Sequence, residues 1–118
     1  MIVFSSDEQL ARVCRVVCSR ARLAELWTSD GPTAQATDLL ERDGGPLSSG
    51  ERMVFLVAWS IWNGSGQMTI GDVLRQLDSV SLAMLGKLML AAGQGGGAIN
   101  AWIVEAEAMI RCRQSGHA

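Results

Sequence analysis

Two cysteines, Cys14 and Cys18, lie four residues apart, and a third cysteine, Cys112, and the single histidine, His117, lie near the end of the chain. On a helix, residues four apart share a face, so Cys14 and Cys18 can present two thiolates to a metal ion such as Zn²⁺. Their neighbours, including Val17, are apolar, and a free cysteine in such surroundings commonly packs as a small hydrophobic side chain. We therefore expect Cys14 and Cys18 in the core, and no metal or other cofactor.

Catalysis by a serine or cysteine nucleophile requires a base beside it, and the sequence offers few candidates. His117 is second from the end, where a rigid site is hard to build. Asp38 and Glu41 can pair, but they lie on a polar helix face, where solvated carboxylates are usual. Glu105 and Glu107 are two residues apart, so on a helix they point in different directions. We expect a protein that is not an enzyme.

Basic side chains concentrate near the start of the chain, at Arg12, Arg15, Arg20 and Arg22. One interpretation is a solvated face that pairs with acidic residues of neighbouring helices. The other is a docking surface for an acidic protein or a nucleic-acid backbone. The net charge of −2 favours the first interpretation.

The composition is typical of an ordered globular protein, with 48% hydrophobic and 19% charged residues in 118. That length fits one helical domain over residues 1–118, with residues 1–6 as a lead-in and residues 114–118 as a frayed tail. The start of the chain lacks the basic and apolar regions of a signal peptide. An odd number of cysteines without secretory context favours reduced thiols, and so a cytoplasmic location.

The strongest structural signal lies in residues 49–62. Nine of the ten residues from 53 to 62 are apolar, and Ser48 and Glu51 have the spacing of a capping box in front of them. Ten residues are too few to cross a bilayer, which requires about twenty. The pattern predicts a helix enclosed by others, and hence an all-α, compact, single-domain array of about five to six helices around it.

Helical periodicity predicts the other elements. The first helix spans residues 7–27, begins at a capping box formed by Ser5 and Glu8, and turns Val13, Cys14, Val17 and Cys18 inward. Shorter helices are expected over residues 33–42 and 69–77, and longer ones over 79–92 and 98–113. A flexible connection at residues 94–97 separates the last two. Only residues 2–4 resemble a strand. The inward face of the last helix is predicted to consist of Ile99, Trp102, Ile103, Ala106, Met109 and Ile110.

Residues 80–92 are almost as apolar as the central helix, and Lys87 is the only charged side chain among them. A helical domain of this size can enclose about one helix completely, so the second apolar helix is expected to expose a surface. The interaction residues predicted from this helix are Met84, Leu85, Leu88 and Met89, together with the four arginines of the first helix. Self-association or a protein partner is expected, whereas nucleic acid is disfavoured and no membrane is predicted.

The segment that begins Gly44-Gly45-Pro46 and reaches Arg52, continuing from Trp59 to Gly64, resembles a segment of small uncharacterised helical proteins of bacteria and their mobile elements. The likeness covers roughly the second half of the chain and transfers no activity to any residue. It implies a stand-alone small protein of a phage, plasmid or accessory island, such as an anti-CRISPR-type inhibitor or an immunity-type factor.

These observations favour a non-catalytic helical protein-interaction module, either a homodimer or a stoichiometric binder or inhibitor of another protein. An inhibitor of the anti-CRISPR type is one alternative. A weak nucleic-acid-binding regulator that uses the arginine-rich first helix is the other.

Overall fold

The computed structural model describes the backbone of residues 4–115 and the side chains through residue 112. Within that part of the chain there are six α-helices, one turn of 3₁₀ helix at Ala24–Leu26 and a minimal antiparallel hairpin. The helices are α1 (Asp7–Ser19), α2 (Ala34–Glu41), α3 (Ser49–Asn63), α4 (Ile70–Gln76), α5 (Ser79–Gln94) and α6 (Gly96–Ser115), and the hairpin strands are β1 (Trp27–Thr28) and β2 (Gly31–Pro32). The predicted all-α array is confirmed.

Helix α3 forms the centre of the core, as its sequence predicts. The Ser48 hydroxyl accepts a hydrogen bond from the Glu51 backbone N–H, and the Glu51 carboxylate accepts one from the Ser48 N–H. Gly64, in the left-handed conformation at φ +82°, ends the helix. Every residue from 53 to 59 is buried, which means that α3 is covered around its whole circumference.

Aromatic rings fill the space between α3 and the hairpin. The Trp27 ring centroid lies 5.5 Å from that of Trp59 and 5.8 Å from that of Trp62, and Phe55 meets Trp59 edge to face at 6.4 Å. A Cβ atom on Gly31 would lie 2.8 Å from the Trp62 ring, so only glycine allows β2 to approach α3 this closely. The hairpin, which the sequence pattern did not predict, therefore serves to hold Trp27 in the core.

The first helix is shorter than predicted. It ends at Ser19, because the Leu23 N–H donates to the Cys18 carbonyl (2.9 Å) and the Arg22 N–H donates to the Ser19 carbonyl (3.2 Å). The bond from Leu23 requires Arg22 to adopt the left-handed conformation, with φ +61°. Glycine usually occupies this position, so an arginine there hides the end of the helix from sequence reasoning. The predicted helix over residues 7–27 is wrong in its last third.

The beginning of α1 also differs by one residue from the prediction. Ser6, and not Ser5, caps the helix by accepting a hydrogen bond from the Gln9 backbone N–H. The Gln9 side-chain oxygen in turn accepts a hydrogen bond from the Ser5 backbone N–H (2.8 Å). The predicted partner Glu8 is exposed and takes no part in this exchange.

Helices α5 and α6 form a hairpin with almost no loop. Gly95 alone separates them, at φ +109°, so the flexible connection predicted at residues 94–97 is wrong. Helix α6 continues through Ser115, which overlaps the start of the predicted frayed tail, and residues 116–118 lie outside the described residues. Of the predicted strand at residues 2–4, only Phe4 is described, and it belongs to no strand.

Contacts from α1 position the α5–α6 hairpin on the core. Helix α1 packs chiefly against α3 and also against α6, whereas α5 packs mainly on α6. An ion pair between Arg12 and Glu107 (2.7 Å) links α1 to α6, and one between Arg20 and Asp78 (3.4 Å) links the end of α1 to the start of α5. None of the helices within residues 4–115 has both the length and the apolar character needed to cross a membrane.

Candidate binding groove

The paired cysteines of α1 are packed in the core. The Cys14 thiol donates to the Ala58 carbonyl (3.4 Å), and the Trp27 indole N–H donates to the Cys18 sulfur (3.0 Å). Loss of hydration on burial raises the pKa of both thiols, with a further rise for Cys14 from its neighbour Cys18. The pKa of Cys18 rises to about 12 even though the Trp27 hydrogen bond lowers it. Their predicted place in the core is confirmed, and such neutral thiols are poor nucleophiles and metal ligands.

The carboxylates do not assemble into a site. Within the described residues, no three side chains of His, Cys, Asp or Glu lie close enough together to hold a metal ion, and His117 is outside those residues. Asp38 pairs with Arg42 on the surface of α2 at 2.8 Å. Glu107 pairs with Arg12, whereas Glu105 lines a groove on a different side of α6.

The four arginines of the sequence cluster are distributed over different surroundings. Arg12 is engaged by Glu107, and Arg20 by Asp78 and the Ser81 hydroxyl. Arg15 and Arg22 are exposed. Because two of the four are tied to carboxylates of neighbouring elements, the cluster is a partly paired surface and not one continuous basic face. Only Arg20 and Arg22, at the end of α1, lie beside the groove.

The interaction residues predicted on α5 point in three directions. Leu85 and Leu88 are only 8% and 5% exposed, so they are core side chains, and the expectation that they are exposed is corrected. Met89 is 58% exposed, and Met84 is half-buried at the groove. The physical reason at Leu85 is that α5 rests on the core, because Leu85 lines a small cavity together with Val17 of α1 and Val54 and Val57 of α3.

A groove of about 570 Å³ opens where α5 and α6 meet the end of α1. We call it the α5–α6 groove. Its apolar lining comes from Val80, Ala83 and Met84 of α5 and from Trp102, Ala106, Met109 and Ile110 of α6. Its polar lining consists of Ser19, Arg20, Arg22, Lys87 and Glu105.

Helical spacing explains why these side chains share one surface. On α5, Val80, Met84 and Lys87 follow each other at steps of four and three residues, which keeps them on one stripe. The same steps place Trp102 and Met109 together on α6. The Trp102 indole N–H donates to the Met84 carbonyl at 3.2 Å. This hydrogen bond joins α6 to α5 at the floor of the groove.

Water reaches much of the apolar lining. Val80 remains 49% exposed and Met109 61% exposed, although both belong to the lining. Met109 was predicted to face inward with Ile99 and Ile103, and in this it differs from them, since both isoleucines are fully buried. An apolar concave surface that stays open to water is a characteristic of binding sites.

The charge of the groove is opposite to that of the whole chain. Among the described residues, the lining contains three cations, Arg20, Arg22 and Lys87, and one carboxylate, Glu105; Arg20 is also paired with Asp78 outside the lining. The chain as a whole has a net charge of −2. A concave surface lined by one sign of charge attracts ligands of the other sign.

Sequence reasoning identified part of this site. Met84, Arg20 and Arg22 were among the predicted interaction residues, and the structure brings these three together. Lys87 and Trp102 were not, although Lys87 is the only charge on α5 and Trp102 the only aromatic residue on α6. Those two isolated side chains were the available signal.

No protein-family model, no curated protein and no solved structure matches this chain. The resemblance to small helical proteins of bacteria and their mobile elements therefore stays a prediction.

Proposed function

We propose that this protein is a non-catalytic protein-interaction module and that the α5–α6 groove is its binding site. The observation that supports this most directly is the open apolar lining, with Val80 and Met109 about half exposed inside a concave surface. Removing apolar surface from water contributes about 25 cal/mol per Å², so a partner that covers these side chains gains affinity from them.

The groove combines a fixed side chain with flexible ones. Trp102 is fixed by its hydrogen bond to α5, so the floor is already formed before a partner arrives. Met84 and Met109 are flexible side chains that can adapt to the shape of a partner. A stoichiometric binder or inhibitor, including one of the anti-CRISPR type, would act by masking a surface of its target in this way.

Cys14 and Cys18 are buried thiols that form no disulfide, which suits a reducing compartment such as the cytoplasm. Nucleic-acid binding through α1 is the weaker candidate, because Arg12 and Arg20 are already paired with carboxylates. Duplex-DNA binding that weakens steeply with added salt would favour that candidate instead.

A tryptophan placed inside the groove tests the proposal. Ala83 is exposed and lines the groove, whereas Ala108 is exposed on α6 outside it. Ala83→Trp should fill the groove, and Ala108→Trp is the matched control for an added surface indole. Tagged wild-type protein and both variants are incubated with an extract of the native host, and retained proteins are quantified by mass spectrometry.

The proposal expects a protein that wild type and Ala108→Trp retain in near-equimolar amount and that Ala83→Trp loses. Sedimentation velocity on the purified proteins tests the homodimer in parallel, since a dimer that uses the groove should dissociate in Ala83→Trp alone. If all three proteins retain the same set and have the same mass in solution, the groove is not the binding site.

A further inference from the structure

We infer that the occupant of the α5–α6 groove is an acidic amphipathic helix presented by another protein. This rests on the proposed function and specifies the chemistry of the partner. Three observations support it: the unbalanced charge at the edge of the groove, the conformation of Arg22, and the arrangement of the two helices that form the walls.

The charge at the edge requires an acidic partner. Among the described residues, no carboxylate forms an ion pair with Arg22 or Lys87. Arg20 forms an ion pair with Asp78, whose side chain is 61% exposed. A neutral or basic partner that covered the groove would remove these cations from water without compensation, which opposes binding. Carboxylates at the flanks of the partner would remove that penalty.

Arg22 supplies an independent observation. It occupies a left-handed position, φ +61°, where glycine is the usual residue, and its side chain lines the groove. The hydrogen bonds that close α1 hold the Arg22 backbone in place, so its exposed side chain extends from a fixed position beside the groove.

The same charges argue against a second copy of the chain as the occupant. A two-fold pairing of this face would bring two surfaces of the same net positive charge together, because such interfaces use the same patch on both copies. Among the residues that the structure describes, Glu105 is the one lining carboxylate that could offset this charge. A foreign acidic segment meets no such repulsion.

The walls of the groove favour a helix as the shape of that segment. They are formed by neighbouring helices of a tight hairpin, which is the setting in which an amphipathic helix lays its apolar face into a groove. Apolar side chains at steps of three and four residues would contact Met84, Trp102 and Met109. Acidic side chains on the two flanks of that helix would then reach Lys87 on one wall and Arg22 beyond the end of α1.

Selection from a displayed peptide library tests this inference while the natural partner is still unidentified. The probe is a phage-displayed library of 18-residue helical peptides, with an apolar stripe held constant and the flanking positions randomised among neutral, acidic and basic residues. It is selected against four proteins. These are the wild type, the groove-filled Ala83→Trp, the charge-reversed Arg22→Glu/Lys87→Glu, and the matched control Arg15→Glu/Arg75→Glu, whose two arginines are exposed outside the groove.

We expect wild type and the Arg15→Glu/Arg75→Glu control to enrich peptides with acidic flanks, and the charge-reversed variant to enrich basic flanks. Individual acidic peptides should bind the charge-reversed variant about tenfold more weakly or worse. Peptides that depend on the groove but show no acidic excess would overturn this inference and leave the proposed function intact. Enrichment that Ala83→Trp does not abolish, or no enrichment at all, would overturn both.

Discussion

Helices α3 and α5 are both rich in apolar residues, yet they have opposite roles in the molecule. On α3, every residue from 53 to 59 is buried, because α1, α4 and the β1–β2 hairpin together cover this helix. On α5, only Ser81, Leu85, Leu88 and Ala91 are buried, because α6 is its one extensive neighbour. The number of neighbours, and not the apolar content, decides which helix becomes core and which becomes a surface.

If the α5–α6 groove is the binding site, as proposed, stability and binding depend on separate regions. The aromatic cluster around Trp59 contains few polar groups and is largely closed to water. The α5–α6 groove combines apolar side chains with three cations and remains open. Substitutions should therefore lower the free energy of unfolding strongly in the aromatic cluster and weakly in the α5–α6 groove.

The largest effect is expected at the aromatic cluster. Trp59→Ala should lower the free energy of unfolding by about 3–5 kcal/mol, the usual range for deleting a buried aromatic side chain. Met109→Ala, in the groove, should cost less than about 1 kcal/mol, because Met109 is 61% exposed. Denaturant titration of both variants measures the two free energies of unfolding, which are then compared with that of the wild type.

Trp59→Phe serves as the control for ring volume. The Trp59 indole N–H is buried and has no hydrogen-bond partner within the described residues, so phenylalanine removes no bond. Its cost should be well below that of alanine. A Trp59→Ala protein that unfolds like the wild type would show that α3 is peripheral.

The buried thiols should make the protein lose stability in alkali. Cys14 and Cys18 have a folded-state pKa raised above the unfolded value of 9.0, so their contribution is complete below that pH. Above it, the unfolded thiols lose protons and the folded ones do not, so stability declines as pH rises toward the folded pKa. For both thiols together we expect a loss of about 2 kcal/mol between pH 9 and pH 10.

Denaturant unfolding at several pH values measures this decline. The chain contains no tyrosine and a single, exposed lysine, so few other groups titrate in that range. Cys14→Ala/Cys18→Ala should be less stable overall but should show a much flatter dependence on pH. An equally steep decline in that variant would assign the effect to other groups.

A smaller effect of opposite sign is expected at the groove. Arg22→Gly should raise the free energy of unfolding by about 1 kcal/mol or less, because glycine adopts φ +61° without strain. Arg15→Gly, on the exposed face of α1, should instead lower it by about 1 kcal/mol. If Arg22→Gly is no more stable than the wild type, Arg22 is not strained.

Local signals explain which parts of this fold were predictable. Helix α3 was predicted because its capping box and unbroken apolar run are read from adjacent residues. The end of α1 was missed because Arg22 occupies a position at which sequence reasoning expects glycine. The hairpin was missed because two-residue strands have too few residues for an alternating pattern to appear.

The groove was predictable only in part, for a different reason. Its residues come from three elements, and the space between them depends on how the α5–α6 hairpin rests on the end of α1. The apolar stripe of α5 indicated that a surface exists, but not that Leu85 and Leu88 would face the core while Met84 faces the groove. That choice depends on how α5 rests on α1 and α3, whose Val17, Val54 and Val57 surround a small cavity with Leu85, and no local pattern on α5 encodes it.

Our central claim is that α3 is packed core whereas the α5–α6 groove is an open surface. Its most direct test is the free energy of unfolding of Ala83→Trp, measured beside that of Ala58→Trp by denaturant titration. Both residues are alanines on apolar helices, but Ala83 is exposed in the groove and Ala58 is 0% exposed in α3. We predict that Ala83→Trp stays within about 1 kcal/mol of the wild type. Overpacking at Ala58 should cost Ala58→Trp about 3 kcal/mol or more. A comparable loss in Ala83→Trp would contradict the account, because it would mean that the α5–α6 groove is packed core and not a binding surface.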